Sequence, residues 1–406
     1  LQRLAAEGLT FEWAIAPSAW TLPSHAAMFT GRPASALSAS WRSPLDGAHP
    51  TVAEILTRHG YATGAFVANP FYTHHESGVD RGFQVLHDFR RSRAQVLWST
   101  TFTQTPLVID ILWGDRAPSA ILRALGRFDL RPRSEPQSDR RRAAEVIDEF
   151  LGWQGEQRVP FFAFLNLFDA HDPYVAPPGY ETFFAAKPTK QDIYDAGIRY
   201  MDDQVNRLAR TLAERGVLDN TVIIVTSDHG EQWGEHGLVN HGNSLYIPVV
   251  HVPLLVRLPG ATRAGEKVPA PVSLTDFAAT VLAVTGVTDP RVPGGSLLSP
   301  NVSAVVTETE ALDASTRDKA PAARGALASI VSDSLQYIRN GDGTYQLFNI
   351  RQDYAQETDL VTSPAGCAVA VRLDALLRAT TALPRTPPFT EERCPRAVTS
   401  TGEAKR

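Results

Sequence analysis

The chain has 406 residues, 43% hydrophobic, 20% charged and 9% aromatic, a balance that suits a globular protein with a large core and excludes disordered, collagenous and coiled-coil classes. Its formal charge of −5 lacks the basic footprint of a nucleic-acid binder. With Cys367 and Cys394 as its two cysteines, the sequence shows no disulfide framework and no thiol beside a candidate site, and it leaves the redox compartment open.

Residue 1 is Leu rather than Met, and residues 1–8 read as part of a helix. We therefore expect the start of the protein to be missing, together with any export signal, so localisation is left open. Apolar stretches such as 160–168 and 272–287, the second broken by Asp276, fall short of the ~20 residues of a membrane span. In Trp20-Thr21-Leu22-Pro23-Ser24-His25, followed by a small and apolar body, Gly31 and Pro33, the spacing predicts a short helix that begins just after Thr21. The Thr21 hydroxyl has two readings there. One is an N-cap; the other is a nucleophile in the positive field of free backbone N–H groups, suited to an anionic phosphate or sulfate ester.

Farther along, β-branched and aromatic runs at 61–67, 161–168, 221–226 and 252–256 predict strands, and 51–59, 139–153 and 191–215 predict helices. The last carries Ile198, Met201, Val205, Leu208 and Leu212 as one apolar stripe. Such alternation predicts an α/β sheet with helices on its faces. The basic stretch 134–142 reads as a solvated helix entry, and 91–131 as a variable segment in which Trp98, Phe102 and Trp113 pack or line a pocket. After about residue 300 the texture changes to short strands at 302–308, 327–331, 336–339 and 345–350, with Asn340-Gly-Asp-Gly343 as a hairpin turn. The expected division is a catalytic α/β domain over 1–300, a small antiparallel subdomain over 301–362, and a helix at 369–377 within a tail over 363–406.

Two strands end in chemistry. One runs into Phe168-Asp169-Ala-His171-Asp172-Pro173, the other into Asp228-His229-Gly230, with His236 and His241 in the Gly-rich loop behind it. Three of the chain's 11 histidines within 13 residues point to a metal corner at the C-terminal end of a sheet strand. Asp228 as a turn cap and Asp172-Pro173 as a plain turn are the structural alternatives. Parallel strands would place His171 and His229 on one rim.

Together these segments resemble the sulfatase branch of the alkaline phosphatase superfamily. The resemblance runs from Leu1–Gly8 and Phe11 through 60–67, 78–83, Phe168–Tyr174 and Ser227–Gly230 to 345–348. It implies an α/β/α sandwich with a mostly parallel mixed sheet and a small C-terminal antiparallel sheet. It also places the family's nucleophile at Thr21, where typical members carry Cys or Ser, with Pro23 two residues on and His25 in place of the family's Arg. Formylglycine is therefore not expected, and Thr is the nucleophile in related phosphodiesterases, pyrophosphatases and phosphoglycol transferases.

By the same resemblance Asp228 and His229 are metal ligands, with Thr21 on the same ion. His171 contacts the ester oxygens and leaving group, His241 stabilises charge on the transferred group, His25 supports the nucleophile and His236 is structural. The implied cofactor is one divalent ion, calcium, magnesium or manganese, with zinc as the alternative. The family's first strand and acidic metal motif would precede Leu1. The expected function is metal-dependent hydrolysis of a small-molecule, glycan or lipid ester of sulfate or phosphate, with phosphate favoured. A transferase of the same fold, or a silent anion-binding homologue, are the alternatives; nucleic acid is not an expected partner, and the oligomeric state is unassigned.

Overall fold

The computed structural model describes residues 1–69, 72–73, 76–88, 141–300, 304–312, 320–381 and 388–395. Helix α1 (Gln2–Ala6) leads into β1 (Leu9–Ile15) and α2 (Thr21–Thr30). Every residue of α2 is buried, which its small and apolar body allows. Gly31 ends it in the left-handed conformation at φ 72°. Helix α3 (Val52–Arg58) starts on a capping box, with the Glu54 N–H donating to Thr51 Oγ1 and the Thr51 N–H to the Glu54 carboxylate. There follow β2 (Ala62–Val67), β3 (Val85–His87), α4 (Ala143–Glu156), β4 (Phe161–Asn166), α5 (Lys190–Glu214) and β5 (Ile223–Thr226). A short hairpin, β6 (Gln232–Trp233) and β7 (Val239–Asn240), then leads through α6 (Ile247–Val250) to β8 (His251–Arg257), β9 (Lys267–Ser273) and α7 (Phe277–Thr285).

The middle layer consists of two hydrogen-bonded sheets. One has the order β5-β8-β1-β9, with β1 parallel to β9 and antiparallel to β8; the other is the parallel set β3-β2-β4. Their edge strands β4 and β5 share both cores, because alternate side chains of a strand face opposite ways. Phe162 and Phe164 join Val222 and Ile224 in a core with Leu22, Phe29, Ile55 and Val281 from α2, α3 and α7. Phe161, Ala163 and Leu165 join Ile223 in the opposite core with Ile147, Phe150, Leu208 and Leu212 from α4 and α5. The result is the expected α/β/α sandwich around a mixed sheet. Yet β4 and β5 are not hydrogen-bonded to each other among the described residues, and both are only half-buried along their length, whereas β2 is buried from Thr63 onward.

Strands β10 (Val305–Thr309), β11 (Leu327–Ser332), β12 (Leu335–Arg339) and β13 (Tyr345–Asn349) form the expected antiparallel sheet. Helix α8 (Pro364–Thr380) covers it. The predicted turn at 340–343 closes with the Asn340 N–H 2.9 Å from the Thr344 carbonyl and Gly343 at φ 80°. Thr307 ties this sheet to the main one, its hydroxyl donating to the Ala16 carbonyl at 2.7 Å.

Several expectations are corrected. Strand β1 is not predicted, although Leu9, Phe11, Trp13 and Ile15 alternate with Thr10, Glu12 and Ala14; nor is β9, whose Pro269 and Pro271 are tolerated because it is an edge strand. Helix α8 starts earlier than predicted, on Ser363, whose hydroxyl accepts the Gly366 N–H. The basic entry at 134–140, the segment 91–131 and the end of the tail lie outside the described residues. Among the described residues no helix is long and apolar enough to cross a membrane.

The reading of no disulfide is also corrected, since Cys367 in α8 is bonded to Cys394. The two lie 27 residues apart, a spacing without a signature, and they meet because the chain after α8 turns back over it. Closing a loop of that length stabilises by about 3–4 kcal/mol on the chain-entropy account. Cys394→Ser should therefore lower the unfolding midpoint by several degrees, and thiol labelling of the denatured, unreduced protein should find no free cysteine; two labelled cysteines would contradict the pairing.

Candidate active site

Thr21 opens α2, but its hydroxyl does not cap the helix. The N-cap is Trp20, which makes no side-chain cap bond, so the capping reading of Thr21 does not hold. Instead Thr21, 3% exposed, places Oγ1 3.1 Å from His229 Nε2. The other nitrogen of that ring fixes the direction of the bond. His229 Nδ1 lies 2.9 Å from the Gly230 carbonyl, which can only accept, so Nδ1 carries the hydrogen and Nε2 presents a lone pair to the Thr21 hydroxyl. Burial holds the His229 imidazole below its ordinary value, against the opposing pull of the Asp228 carboxylate; the ring is neutral at pH 7.

Asp228 Oδ2 stands 3.5 Å from the same Nε2. Two lone-pair atoms facing each other with no hydrogen between them repel, and a cation relieves that repulsion. Carboxylate oxygen, imidazole nitrogen and hydroxyl oxygen are donors that a divalent ion accepts, so the residues present fit one. They make an incomplete set. Among the described residues no three His, Cys, Asp or Glu side chains are arranged as a metal cluster. Ser24 fastens this corner by donating its hydroxyl to the Asp228 carbonyl at 2.7 Å, joining α2 to the end of β5.

His25 lies behind Thr21. Its Nδ1 is 2.8 Å from the Thr21 carbonyl and 3.6 Å from Asp228 Oδ2, and its ring meets Phe29 and Phe164 edge-on. It touches the backbone of Thr21 and not its hydroxyl. The His241 ring lies tilted 4.2 Å from His229 and 5.2 Å from Trp20, and it meets His171 edge-on at 5.7 Å. Gly242 makes room for this, since at φ 74° a Cβ there would stand 2.0 Å from the Trp20 ring. His171 stacks 4.1 Å from Phe168 and its Nδ1 donates to the Asp172 carbonyl.

The structure thus gathers Thr21, Asp228, His229, His241 and His171 in one place, with His25 just behind. The ends of β4 and β5 meet there as expected, although the two strands belong to separate hydrogen-bonded sheets. Asp169 is not part of it. That carboxylate accepts the Ala143 N–H at 2.9 Å at the start of α4 and pairs with Arg142. His236 also turns away, stacked 3.7 Å from Tyr246. Sequence reading passes over Ser24, Tyr174 and Glu231. Glu231 faces His241 from a buried position, and its place directly after Asp228-His229-Gly230 is the signal that could have found it.

The family described as Sulfatase matches residues 1–287, and the chain belongs to the sulfatase family. The uncharacterized sulfatase YidJ of Escherichia coli is 34% identical over 108 residues, 26% of this chain and 21% of that protein. Mouse arylsulfatase K is 28% identical over 326 residues, 73% of this chain and 58% of its own length. The chain thus matches less than two thirds of either. Among solved structures, the phosphonate monoester hydrolase of Agrobacterium radiobacter superposes with a TM-score of 0.70 at 21% identity, over 93% of this chain and 89% of that one, a likeness of fold.

Proposed function

We propose that the protein hydrolyses a phosphate or sulfate ester with Thr21 as nucleophile and one divalent cation as cofactor. The observation that carries this reading is the buried Thr21 hydroxyl aimed at the lone pair of His229 Nε2, with Asp228 Oδ2 at its side. Asp228, His229 and Thr21 are the residues that would hold the cation, whose positive charge lowers the pKa of the hydroxyl. Thr21 Oγ1, its proton released to solvent, then attacks the central phosphorus or sulfur while the bond to the ester oxygen breaks. His171 hands a proton to the departing oxygen, and His241 steadies the charge on the transferred group. His25 keeps the first turn of α2 in place. Water attacks the threonine ester so formed, one of its protons passes to Oγ1 as that bond breaks, the free hydroxyl returns, and His171 regains its proton from solvent.

Phosphate is favoured over sulfate. A plain hydroxyl leaves an ordinary ester on Thr21 that a second attack at the same atom must resolve, a sequence suited to phosphorus. The substrate is a small-molecule, glycan or lipid ester, and calcium, magnesium or manganese is favoured over zinc by the oxygen donors.

The half-exposed edges of β4 and β5, which no strand pairs among the described residues, support a further part of this reading. A strand parallel to both, supplied by polypeptide ahead of Leu1 in the full-length protein, lies between them and brings the remaining acidic ligands. Amides of β4 and β5 facing that position should exchange rapidly in the chain 1–406 and be protected about a hundredfold or more in the longer protein; equal exchange in both would contradict the strand. For the chemistry, the full-length protein with manganese or calcium should release phosphate from aryl phosphate mono- or diesters faster than sulfate from an aryl sulfate. Thr21→Ala should lower kcat by about 10³-fold or more. Faster sulfate release would reverse the order of substrates, and unchanged turnover in Thr21→Ala would remove Thr21 from the mechanism.

A further inference from the structure

Glu231 is a carboxylate buried where packing alone gives no reason for one. Its side chain is 6% exposed, and burying a carboxylate is costly unless its oxygens are hydrogen-bonded. Both oxygens face one atom, His241 Nδ1, at 3.2 and 3.3 Å. Tyr174, from the segment that also carries His171, interacts electrostatically with the same carboxylate. A carboxylate only accepts, so His241 Nδ1 carries a hydrogen. The ring's other nitrogen, Nε2, lies on the opposite edge, on a ring already tilted against His229 and edge-on to His171.

We propose that Glu231 is the positioning residue for His241. It accepts the Nδ1–H and so fixes the tautomer and tilt of the imidazole, presenting Nε2 to the group being transferred. This rests on the reading that His241 acts in the site. A carboxylate behind a functional imidazole typically contributes tenfold to a hundredfold.

The test uses Glu231→Ala and Glu231→Gln in the full-length protein with the cation that supports turnover. Glu231→Ala should lower kcat about 10- to 100-fold with KM within about twofold, and Glu231→Gln, whose amide oxygen still accepts the Nδ1–H, should recover most of the loss. In a His241→Ala background Glu231→Ala should cost nothing more. Long-range proton–nitrogen spectra, which need no turnover, should show His241 protonated on Nδ1 in the wild type and in Glu231→Gln, and redistributed between the nitrogens in Glu231→Ala. Unchanged kcat in Glu231→Ala, an additive loss in the double variant, or an unaltered His241 spectrum would overturn the assignment. If no ester is hydrolysed at all, the proposed function fails, and the spectra still decide the role of Glu231.

Discussion

Side chains separated by 208 residues meet in the Thr21–His229 hydrogen bond, and much of the architecture serves to keep them there. Thr21 can reach His229 only because α2 begins at Thr21 itself, with Trp20 and not a side-chain hydroxyl at the cap position. The helix in turn is pinned at Ser24, which donates to the Asp228 carbonyl. From the other side, Gly230 fixes the His229 ring by accepting its Nδ1–H. Gly230 also lies so close to Pro248 that a Cβ would stand 2.1 Å from its carbonyl oxygen, so the strand end and the chain behind it are in direct contact. The hydroxyl therefore sits in the first turn of α2, at the positive end of its helix dipole, facing a nitrogen lone pair.

A cluster of this kind costs stability. Thr21, Ser24, His25, His229 and His241 are all at most 9% exposed, and polar groups withdrawn from water are destabilising unless their hydrogen bonds are replaced. Most of the replacements visible here are local: a carbonyl one residue on for His229, a carbonyl four residues back for His25, a neighbouring carboxylate for His241. What these bonds leave over, Asp228 Oδ2 and His229 Nε2 turned toward each other beside a hydroxyl, is not a packing solution. It is an electrostatic arrangement whose natural counterpart is a cation. Asp169 shows the contrast: its oxygens are taken up by the Ala143 N–H and Arg142, and the carboxylate is a structural one.

The fold class and most of the candidate site were legible in the sequence because each depends on local pattern. Apolar runs marked β2, β4, β5 and β8, and Asp-His-Gly after a strand marked the corner where Asp228 and His229 stand. Features set by tertiary context were not legible. Strand β9 carries Pro269 and Pro271, which argue against a strand until its edge position is known. Asp169 and Asp228 each follow an apolar strand and stand close to a histidine, and only the proximity of α4 to one and of α2 to the other separates a helix cap from a candidate ligand. Glu231 is unremarkable as a single letter; its meaning lies in the fact that it meets His241. The pairing of Cys367 with Cys394 likewise follows from the path of the chain over α8.

The central claim is that Thr21 becomes covalently bonded to the transferred group. Incubating the cation-loaded full-length protein with a phosphate ester that it turns over, quenching in acid and mapping the peptides by mass spectrometry tests this directly. The account predicts a phosphoryl adduct on the peptide that contains Thr21, absent without the ester and absent in Thr21→Ala. Turnover with no adduct there, or with the adduct on another side chain, would contradict it.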